Sequence, residues 1–182
     1  MAMFSRRRTP STPLDGVDAV LADLDGVVYA GAGALPWAVE SLSALGERRL
    51  GFITNNASRT DEAVAEHLRE LGLATQASDV VTSPQAATRL LRTRVEPGAT
   101  ILVVGGEGLV VELENAGYAV TRSAEDSPAA VVQGFAPDVG WKQLAEAAFA
   151  LKTPEDEGGI PWIATNTDWT IPQARGIAPG NG

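Results

Sequence analysis

The chain has 182 residues, none of them cysteine and only one of them histidine, His67. Without cysteine the protein forms neither a disulfide nor a thiolate site, so its fold must be held by packing, as is common in the reducing cytoplasm. A single histidine also argues against a histidine-based zinc site. His67 stands beside Glu66 in a charged segment, and we expect it at the protein surface.

Long apolar runs are absent as well. No stretch approaches the ~20 apolar residues that cross a membrane as a helix, and the opening MAMFSRRRTPSTPLDG lacks the apolar run of a signal peptide. We therefore predict a cytoplasmic protein without a membrane segment, whose residues 1–14 form a flexible tail. The arginines of this tail could bind an anionic partner, but a solvated chain end is the interpretation we favour.

Positive charge is scarce, because 14 lysine and arginine residues stand against 23 aspartate and glutamate residues. The formal net charge is -9 and the sequence pI is about 4.6. Nucleic-acid backbones and anionic membranes attract proteins of the opposite sign, so we expect this protein to bind neither. A phosphorylated ligand would have to be held by local hydrogen-bond donors or by a metal ion.

Strand-like and helix-like segments alternate along the chain. VDAVLAD, LGFITNN and DVVTS are typical of short buried strands, and amphipathic segments follow them with Ser58 and Ser83 as expected helix caps. This order predicts an α/β fold with parallel strands. A proline-glycine pair then precedes a second round of alternation, so we predict two modules, residues 15–97 and 98–182.

Two aspartates, Asp23 and Asp25, end the first predicted strand in the stretch LADLDG. Ligands of open parallel sheets bind at the carboxyl ends of strands, which gives these carboxylates a functional position. Carboxylates this close repel each other unless a cation or a reaction uses them. A tight turn with Asp25 and Gly26 at its corner explains the same letters, and the pair alone leaves both interpretations open.

The second predicted strand ends in Thr54, Asn55 and Asn56, which bring a hydroxyl and two amides to the same edge of the sheet. A polar turn before a helix accounts for part of this stretch. Because both polar stretches are expected at the same edge of the sheet, they nevertheless favour a binding site over two unrelated turns.

Two further features have structural explanations that we favour. The stretch VGGEG is a weak match to a dinucleotide fingerprint and favours a tight connection from a strand to a helix. We expect the tryptophans to serve packing in the core or in the second module rather than to stack on bases. These tryptophans are Trp37, Trp141, Trp162 and Trp169.

The motifs DLDGVVY, ITNNASRT, VVTS, VGGEGL, VVQGF and ATNTDWTIP, in this order, resemble the haloacid-dehalogenase superfamily of phosphatases, subfamily IIA. The resemblance spans residues 17–182 and is greatest to the group that acts on glycerol 3-phosphate, phosphoglycolate and nitrophenyl phosphate. It implies a Rossmann-like parallel core with an inserted α/β cap domain of type C2. Residues 15–97 would be the N-terminal half of the core, and residues 98–182 the cap.

The resemblance also implies roles for individual residues. Asp23 would be the nucleophile that forms an aspartyl-phosphate, and Asp25 the general acid and base. The same two residues would bind Mg²⁺, through the Asp23 carboxylate and the Asp25 backbone carbonyl. Gly26, Thr54 and Asn55 would bind the phosphate.

The cap stretch ATNTDWTIP would contribute Asn166 and Asp168 as substrate-specificity residues, although a polar turn after a strand explains it equally. The family pattern continues with a lysine and an acidic metal-binding loop that are absent here. We therefore expect that the C-terminal half of the core is missing, that an apolar strand edge and a patch of core are exposed, and that this truncated chain is inactive alone.

The function implied by the resemblance is a Mg²⁺-dependent phosphatase that hydrolyses a small organic phosphate monoester, glycerol 3-phosphate or 2-phosphoglycolate. The expected partner is then a small phosphorylated metabolite, and cap contacts could support a homo-oligomer. The alternative is a noncatalytic α/β module that binds a phosphorylated ligand or a partner chain. A nucleotide-binding oxidoreductase domain based on VGGEG is the third hypothesis.

Overall fold

The computed structural model describes residues 12–173 and 175–182. The strands are β1 (Ala19–Asp23), β2 (Tyr29–Ala30), β3 (Gly33–Ala34), β4 (Arg49–Thr54), β5 (Val80–Thr82), β6 (Thr100–Val104), β7 (Ala119–Thr121), β8 (Ala130–Gln133), β9 (Trp162–Ala164), β10 (Thr170–Gln173) and β11 (Gly176–Pro179). The helices are α1 (Ala38–Ser43), α2 (Asp61–Glu70), α3 (Ser83–Leu91), α4 (Glu107–Asn115) and α5 (Trp141–Ala150). Short 3₁₀ helices span Ala77–Asp79, Ala124–Asp126 and Glu155–Glu157.

Most of the predicted tail, residues 1–11, lies outside the described residues. Its last part is held by the folded chain, because the guanidinium of Arg48 donates hydrogen bonds to the carbonyls of Leu14 and Val17. Among the described residues, no helix combines the length and the apolar character that a membrane crossing requires.

The first sheet contains three parallel strands in the order β1-β4-β5. Its register pairs Asp23 with Ile53 and Thr54 with Thr82, so the three strands end at one edge of the sheet. One face of the sheet packs on α2 because the strands place every second side chain on that side. The buried residues of this core include Ala22, Phe52, Val64, Leu68 and Val80.

The opposite face of the first sheet is bare. Leu21 is 69% exposed, Ile53 is 42% exposed and Val81 is 38% exposed, although all three belong to strands of a parallel sheet. Parallel sheets are normally covered on both faces. Within the described residues β1 pairs only with β4, so its other edge is open too. The predicted exposed edge and patch of core are therefore present.

The second sheet contains four parallel strands in the order β7-β6-β8-β9. Helices α3 and α4 cover one face, and α5 covers the other. Burial on both faces explains the continuous apolar runs ILVV and AVV of its central strands. Although α3 follows β5 of the first sheet, it buries Ala87 and Leu91 against the second sheet and so connects the two. The α/β class with parallel sheets is confirmed.

Both expected helix caps are wrong by one or two residues. The cap of α2 is Thr60, whose hydroxyl accepts from the Ala63 N–H, and the cap of α3 is Thr82, whose hydroxyl accepts from the Gln85 N–H. Ser58 cannot serve because its own N–H and hydroxyl bind Asn56 Oδ1. The Ser83 hydroxyl instead donates to the carbonyl of Asn55.

The packing expected of the tryptophans is also wrong. All four are exposed, by 77% at Trp37, 85% at Trp141, 60% at Trp162 and 83% at Trp169. Trp162 shows the reason, because it lies on β9, an edge strand of its sheet, where its side chain stays largely exposed to solvent. Aromatic content by itself could not reveal this position.

Candidate functional site

Leu24 separates the two aspartates of the LADLDG stretch and is fully buried. Its carbonyl accepts the N–H groups of Val28 and Tyr29, so the chain turns sharply after β1. Because neighbouring residues of an extended chain point to opposite sides, the buried Leu24 leaves Asp23 and Asp25 facing outward. The spacing of the two carboxylates thus follows from one anchored leucine.

The carboxyl of Asp25 has a raised pKa. Partial burial is the largest cause and the negative charge of Asp23 adds to it, while the positive charges of Arg59 and His67 act in the opposite direction. The same surroundings raise the pKa of Tyr29 to about 12, again chiefly through burial. Asp23 Oδ1 accepts the Leu24 N–H at 2.8 Å, which fixes its carboxylate. Burial and the neighbouring charge therefore favour the protonated form of Asp25.

The loop after β4 is held by several hydrogen bonds. The Asn56 N–H donates to the buried Thr54 hydroxyl at 3.1 Å, and Asn56 Oδ1 accepts from the Ser58 N–H and hydroxyl. The carbonyl of Asn55 accepts from the Ser83 hydroxyl at 2.8 Å and from Asn166 Nδ2 at 2.9 Å. The loop is thereby fixed in one conformation beside the aspartates.

A second loop, between β9 and β10, reaches the first from the four-stranded unit. Asn55 Nδ2 donates to Asp168 Oδ2 at 3.0 Å, and the Asp168 N–H donates to Asn166 Oδ1 at 3.1 Å. The chain end supports this loop, because Asn181 Nδ2 donates to the Asn166 carbonyl and the Gly182 N–H donates to the Asp168 carbonyl. Residues 55, 166 and 168 therefore meet although more than 110 positions separate the first from the others.

These groups line one cavity of about 290 Å³. Of the residues predicted from the sequence, Asp23, Asp25, Asn55, Asn166 and Asp168 lie in its wall.

Gly26 and Thr54 were also predicted but do not line the cavity. The Gly26 N–H donates to the Tyr29 carbonyl at 2.8 Å, and its φ of 81° lets the chain turn there. The Thr54 hydroxyl accepts from the Asn56 N–H. Both residues therefore shape loops next to the cavity.

Sequence reasoning missed several residues of the cavity wall. Ala57 and Ser58 belong to a stretch that was assigned to a turn and a helix cap, and Phe135 and Ile171 come from the second unit. Only Ser58 carried a signal, since its neighbours Asn55 and Asn56 were already suspected. The apolar residues could not be recognised, because nothing in a sequence separates a phenylalanine of a cavity wall from one of the core.

His67 does not occupy the surface position that was expected. Its side chain is 14% exposed, and its ring packs edge-on against Tyr29 with 5.0 Å between the ring centroids. The Nε2 atom is buried without a hydrogen-bond partner, and Nδ1 lies 3.5 Å from Glu70. The expectation was wrong because the charged neighbours of His67 face solvent while His67 itself turns towards Tyr29 of β2.

A divalent cation would find oxygen donors at this site. Among the described residues no cluster of three or more histidine, cysteine, aspartate or glutamate side chains is present, so a side-chain cage is not available. The exposed carboxylates of Asp23 and Asp25 and the backbone carbonyl of Asp25 remain as oxygen donors. Mg²⁺ prefers hard oxygen ligands and usually keeps several waters, so this small donor set suits it better than it suits zinc or calcium.

Comparison with known proteins supplies independent findings. Residues 20–119 match the family model for haloacid dehalogenase-like hydrolases. The chain is 47% identical over 165 residues to a D-glycerol 3-phosphate phosphatase of Mycobacterium tuberculosis, covering 91% of this chain and 45% of that protein. It is 33% identical over 166 residues to an acid sugar phosphatase of Staphylococcus epidermidis, covering 90% of this chain and 61% of that protein.

A solved structure is similar over the same range. The crystal structure of a glycerol phosphate phosphatase from Mycobacterium tuberculosis in complex with magnesium superposes with a TM-score of 0.83 at 46% identity. The match covers 91% of this chain and 49% of that one. This chain therefore spans about half the length of the mycobacterial phosphatases that it matches.

Proposed function

The chain belongs to the haloacid dehalogenase-like hydrolase family, and from this premise we propose that it carries the reactive half of a Mg²⁺-dependent phosphatase for a small phosphate monoester. One observation supports the proposal above all. Asp23 and Asp25 share a cavity with the amide-bearing loop after β4, at the carboxyl edge of a parallel sheet. A nucleophile, an acid and hydrogen-bond donors then face the same small volume.

In the proposed reaction, a carboxylate oxygen of Asp23 attacks phosphorus and the bond to the ester oxygen breaks, which leaves an aspartyl-phosphate. Asp25 gives its proton to the departing alkoxide, so that an alcohol leaves. A water then attacks phosphorus of the aspartyl-phosphate while Asp25 takes a proton from it, the bond between phosphorus and the Asp23 oxygen breaks, and inorganic phosphate and the free Asp23 carboxylate result. The raised pKa of Asp25 supports its role as the acid, because the carboxyl holds a proton more tightly than an ordinary aspartate does.

The residues of the site also fit a bound Mg²⁺. Asp23 and the backbone carbonyl of Asp25 would hold it, and when bound it would neutralise charge on the phosphate. The loop after β4 would orient the phosphate by side-chain and backbone donors. The Asn55 side chain and carbonyl are tied to the second loop, so the donors of this loop are fixed before substrate arrives.

We further propose glycerol 3-phosphate as the substrate in preference to 2-phosphoglycolate. Asp168 lines the cavity as a third carboxylate, and one of its oxygens accepts from Asn55. The carboxylate has further lone pairs that can accept hydrogen bonds from the hydroxyls of a glycerol leaving group. The same carboxylate would repel the carboxylate of 2-phosphoglycolate. The similarity to a D-glycerol 3-phosphate phosphatase points in the same direction.

The experiment is phosphate release from glycerol 3-phosphate by the chain, with and without Mg²⁺, beside its Asp23→Asn variant and with folding checked in both. Release that needs Mg²⁺ and falls to background in the variant supports the proposal, and overturns the expectation that the chain is inactive alone. Mg²⁺-dependent binding of glycerol 3-phosphate by a folded chain without release supports the noncatalytic alternative. A folded chain that neither binds nor hydrolyses contradicts both.

The Asp168→Asn variant tests the substrate preference in the same assay. Asparagine keeps the size of the side chain and removes its charge. We expect the preference for glycerol 3-phosphate over 2-phosphoglycolate, measured as the ratio of the two kcat/KM values, to fall by roughly tenfold, because like-charge repulsion is lost. An unchanged ratio would show that Asp168 holds Asn55 without facing the leaving group.

A further inference from the structure

Three glycines of the four-stranded unit touch three consecutive residues of the loop after β4. A methyl group added at Gly134 would lie 3.0 Å from the Cβ of Ala57, and one added at Gly106 would lie 3.4 Å from the Cα of Ser58. A methyl group at Gly108 would lie 2.7 Å from the carbonyl carbon and oxygen of Arg59. The backbones of the two units are therefore in direct contact at this point.

Gly108 shows that the contact constrains the sequence. It lies in the first turn of α4 and is buried, and its φ is not in the left-handed region that favours glycine. Alanine is the better helix former at such a position, so the helix itself gives no reason for glycine. The approach of the Arg59 backbone does give one, because no Cβ fits there. The last glycine of VGGEG is thus explained by the close approach of the α4 backbone to the backbone of Arg59.

The loop on the other side of this contact forms part of the cavity wall. Asn55, Asn56, Ala57 and Ser58 all line the cavity that contains Asp23 and Asp25. Ala57 is 1% exposed and packs directly over Gly134. A displacement of the glycines by a fraction of an ångström would therefore move the loop residues that line the cavity.

We propose that Gly106, Gly108 and Gly134 are positioning residues: their backbone contact with residues 57–59 holds the phosphate-binding loop in place against the two aspartates. The inference rests on the proposed function for the ligand that the loop binds, but the contact itself can be tested without catalysis. The glycines touch neither substrate nor metal in this view and act only through the loop.

The first test compares Gly108→Ala with Gly140→Ala in the full chain. Gly140 belongs to the same unit, and a methyl group there meets only Gln143 Oε1, at an ordinary 3.6 Å. Amide hydrogen exchange of residues 55–59 should become faster in Gly108→Ala by about tenfold or more, and should be unchanged in Gly140→Ala. Unchanged exchange in both variants would overturn the proposal.

The kinetic readout separates positioning from simple destabilisation. A variant that is partly unfolded loses apparent kcat and keeps its KM, whereas a displaced loop binds the phosphate more weakly. At a temperature where the variant is folded, we expect Gly108→Ala to raise KM for glycerol 3-phosphate roughly tenfold, with a smaller change in kcat. A lower melting temperature with an unchanged KM would contradict the proposal.

A second pair of variants keeps the proposal testable if Gly108→Ala does not fold. Gly134→Ala should accelerate exchange in residues 55–59, and adding Ala57→Gly should restore at least half of the lost protection, because it removes the methyl group that clashes. Additive effects of the two substitutions would overturn the proposal. If the unaltered chain releases no phosphate, as expected of a truncated chain, the exchange measurements still decide this inference independently of the proposed function.

Discussion

At the scale of single residues, Leu24 explains the arrangement of the site better than either aspartate does. Full burial of a leucine side chain stabilises the folded state by about 1.5 to 3 kcal/mol relative to leaving it exposed, and Leu24 is fully buried. That anchor forces the residues on either side towards solvent. Asp23 and Asp25 then share one cavity. Because the fold holds them close together, the negative charge of Asp23 contributes to the raised pKa of Asp25.

The raised pKa of Asp25 predicts how stability depends on pH. In the folded protein this carboxyl holds its proton to a higher pH than in the unfolded chain, so the free energy of unfolding falls as pH rises through that interval. Asn carries no charge at any pH. Without Mg²⁺, the Asp25→Asn variant should therefore be more stable than the unaltered chain at pH 7, and the advantage should vanish below about pH 4.

Chemical unfolding of both proteins between pH 3 and pH 8 would measure this difference, with the Asp15→Asn variant as a control. Asp15 is exposed and its pKa is lowered by hydrogen bonds from Thr12, so its substitution should not stabilise the protein at neutral pH. An Asp25→Asn variant that is less stable at pH 7 would show that the negative charge is compensated in solution. In the proposed reaction the same variant should lose roughly 10² to 10⁴ in rate.

At the scale of secondary-structure elements, the two threonine caps connect local sequence to the site. Thr60 begins α2 directly after the loop that faces the cavity, and Thr82 begins α3 where Ser83 reaches the Asn55 carbonyl. Two serines were available as caps, and both are instead used to hold that loop. The helices therefore start one or two residues away from the positions that cap preferences favoured.

The cap of α2 yields a measurable prediction. Thr60→Ala removes the hydroxyl that accepts from the Ala63 N–H at 3.2 Å, and should lower the free energy of unfolding by about 1 kcal/mol. Thr60→Ser keeps the hydroxyl and should retain most of that stability. Urea denaturation of the three proteins would measure the difference. Equal losses in the alanine and serine variants would mean that the methyl group of Thr60, and not its hydroxyl, stabilises the helix.

At the scale of the whole molecule, the bare face of the first sheet is the most unusual feature. Leu21, Ile53 and Val81 form an apolar surface on a parallel sheet whose first strand has an open edge among the described residues. Large exposed apolar patches and open strand edges promote association with other chains. The second sheet, covered on both faces, has no comparable surface among its described strands.

We expect this face to make the chain associate in solution. Replacing Leu21 and Ile53 together by threonine keeps residues suited to strands and removes apolar area, so association at a given concentration should decrease while the melting temperature changes little. Sedimentation velocity over a range of concentrations would measure this. The matched control is Phe52→Thr on the buried face, which should unfold the protein instead. Monomeric behaviour of the unaltered chain would contradict the expectation.

Much of the architecture was predictable because it depends on local patterns. Apolar runs of strand length and amphipathic segments follow from nearest neighbours along the chain, and they predicted the alternation of strands and helices and the parallel class. The motifs around Asp23 and residues 54–56 predicted one shared edge for the same reason, since parallel strands of one sheet end together. The assignment of catalytic roles to these residues stays a prediction.

What the sequence by itself determined is therefore the class of fold, the family and the sheet edge at which the two polar stretches meet. Only the tertiary structure decided which side chains meet: that Asn166 and Asp168 reach Asn55, that His67 packs on Tyr29, and that three glycines touch residues 57–59. The physical reason is one of range. Periodicity and capping act over a few residues, whereas contacts between units depend on how whole sheets and helices pack, which no local pattern encodes.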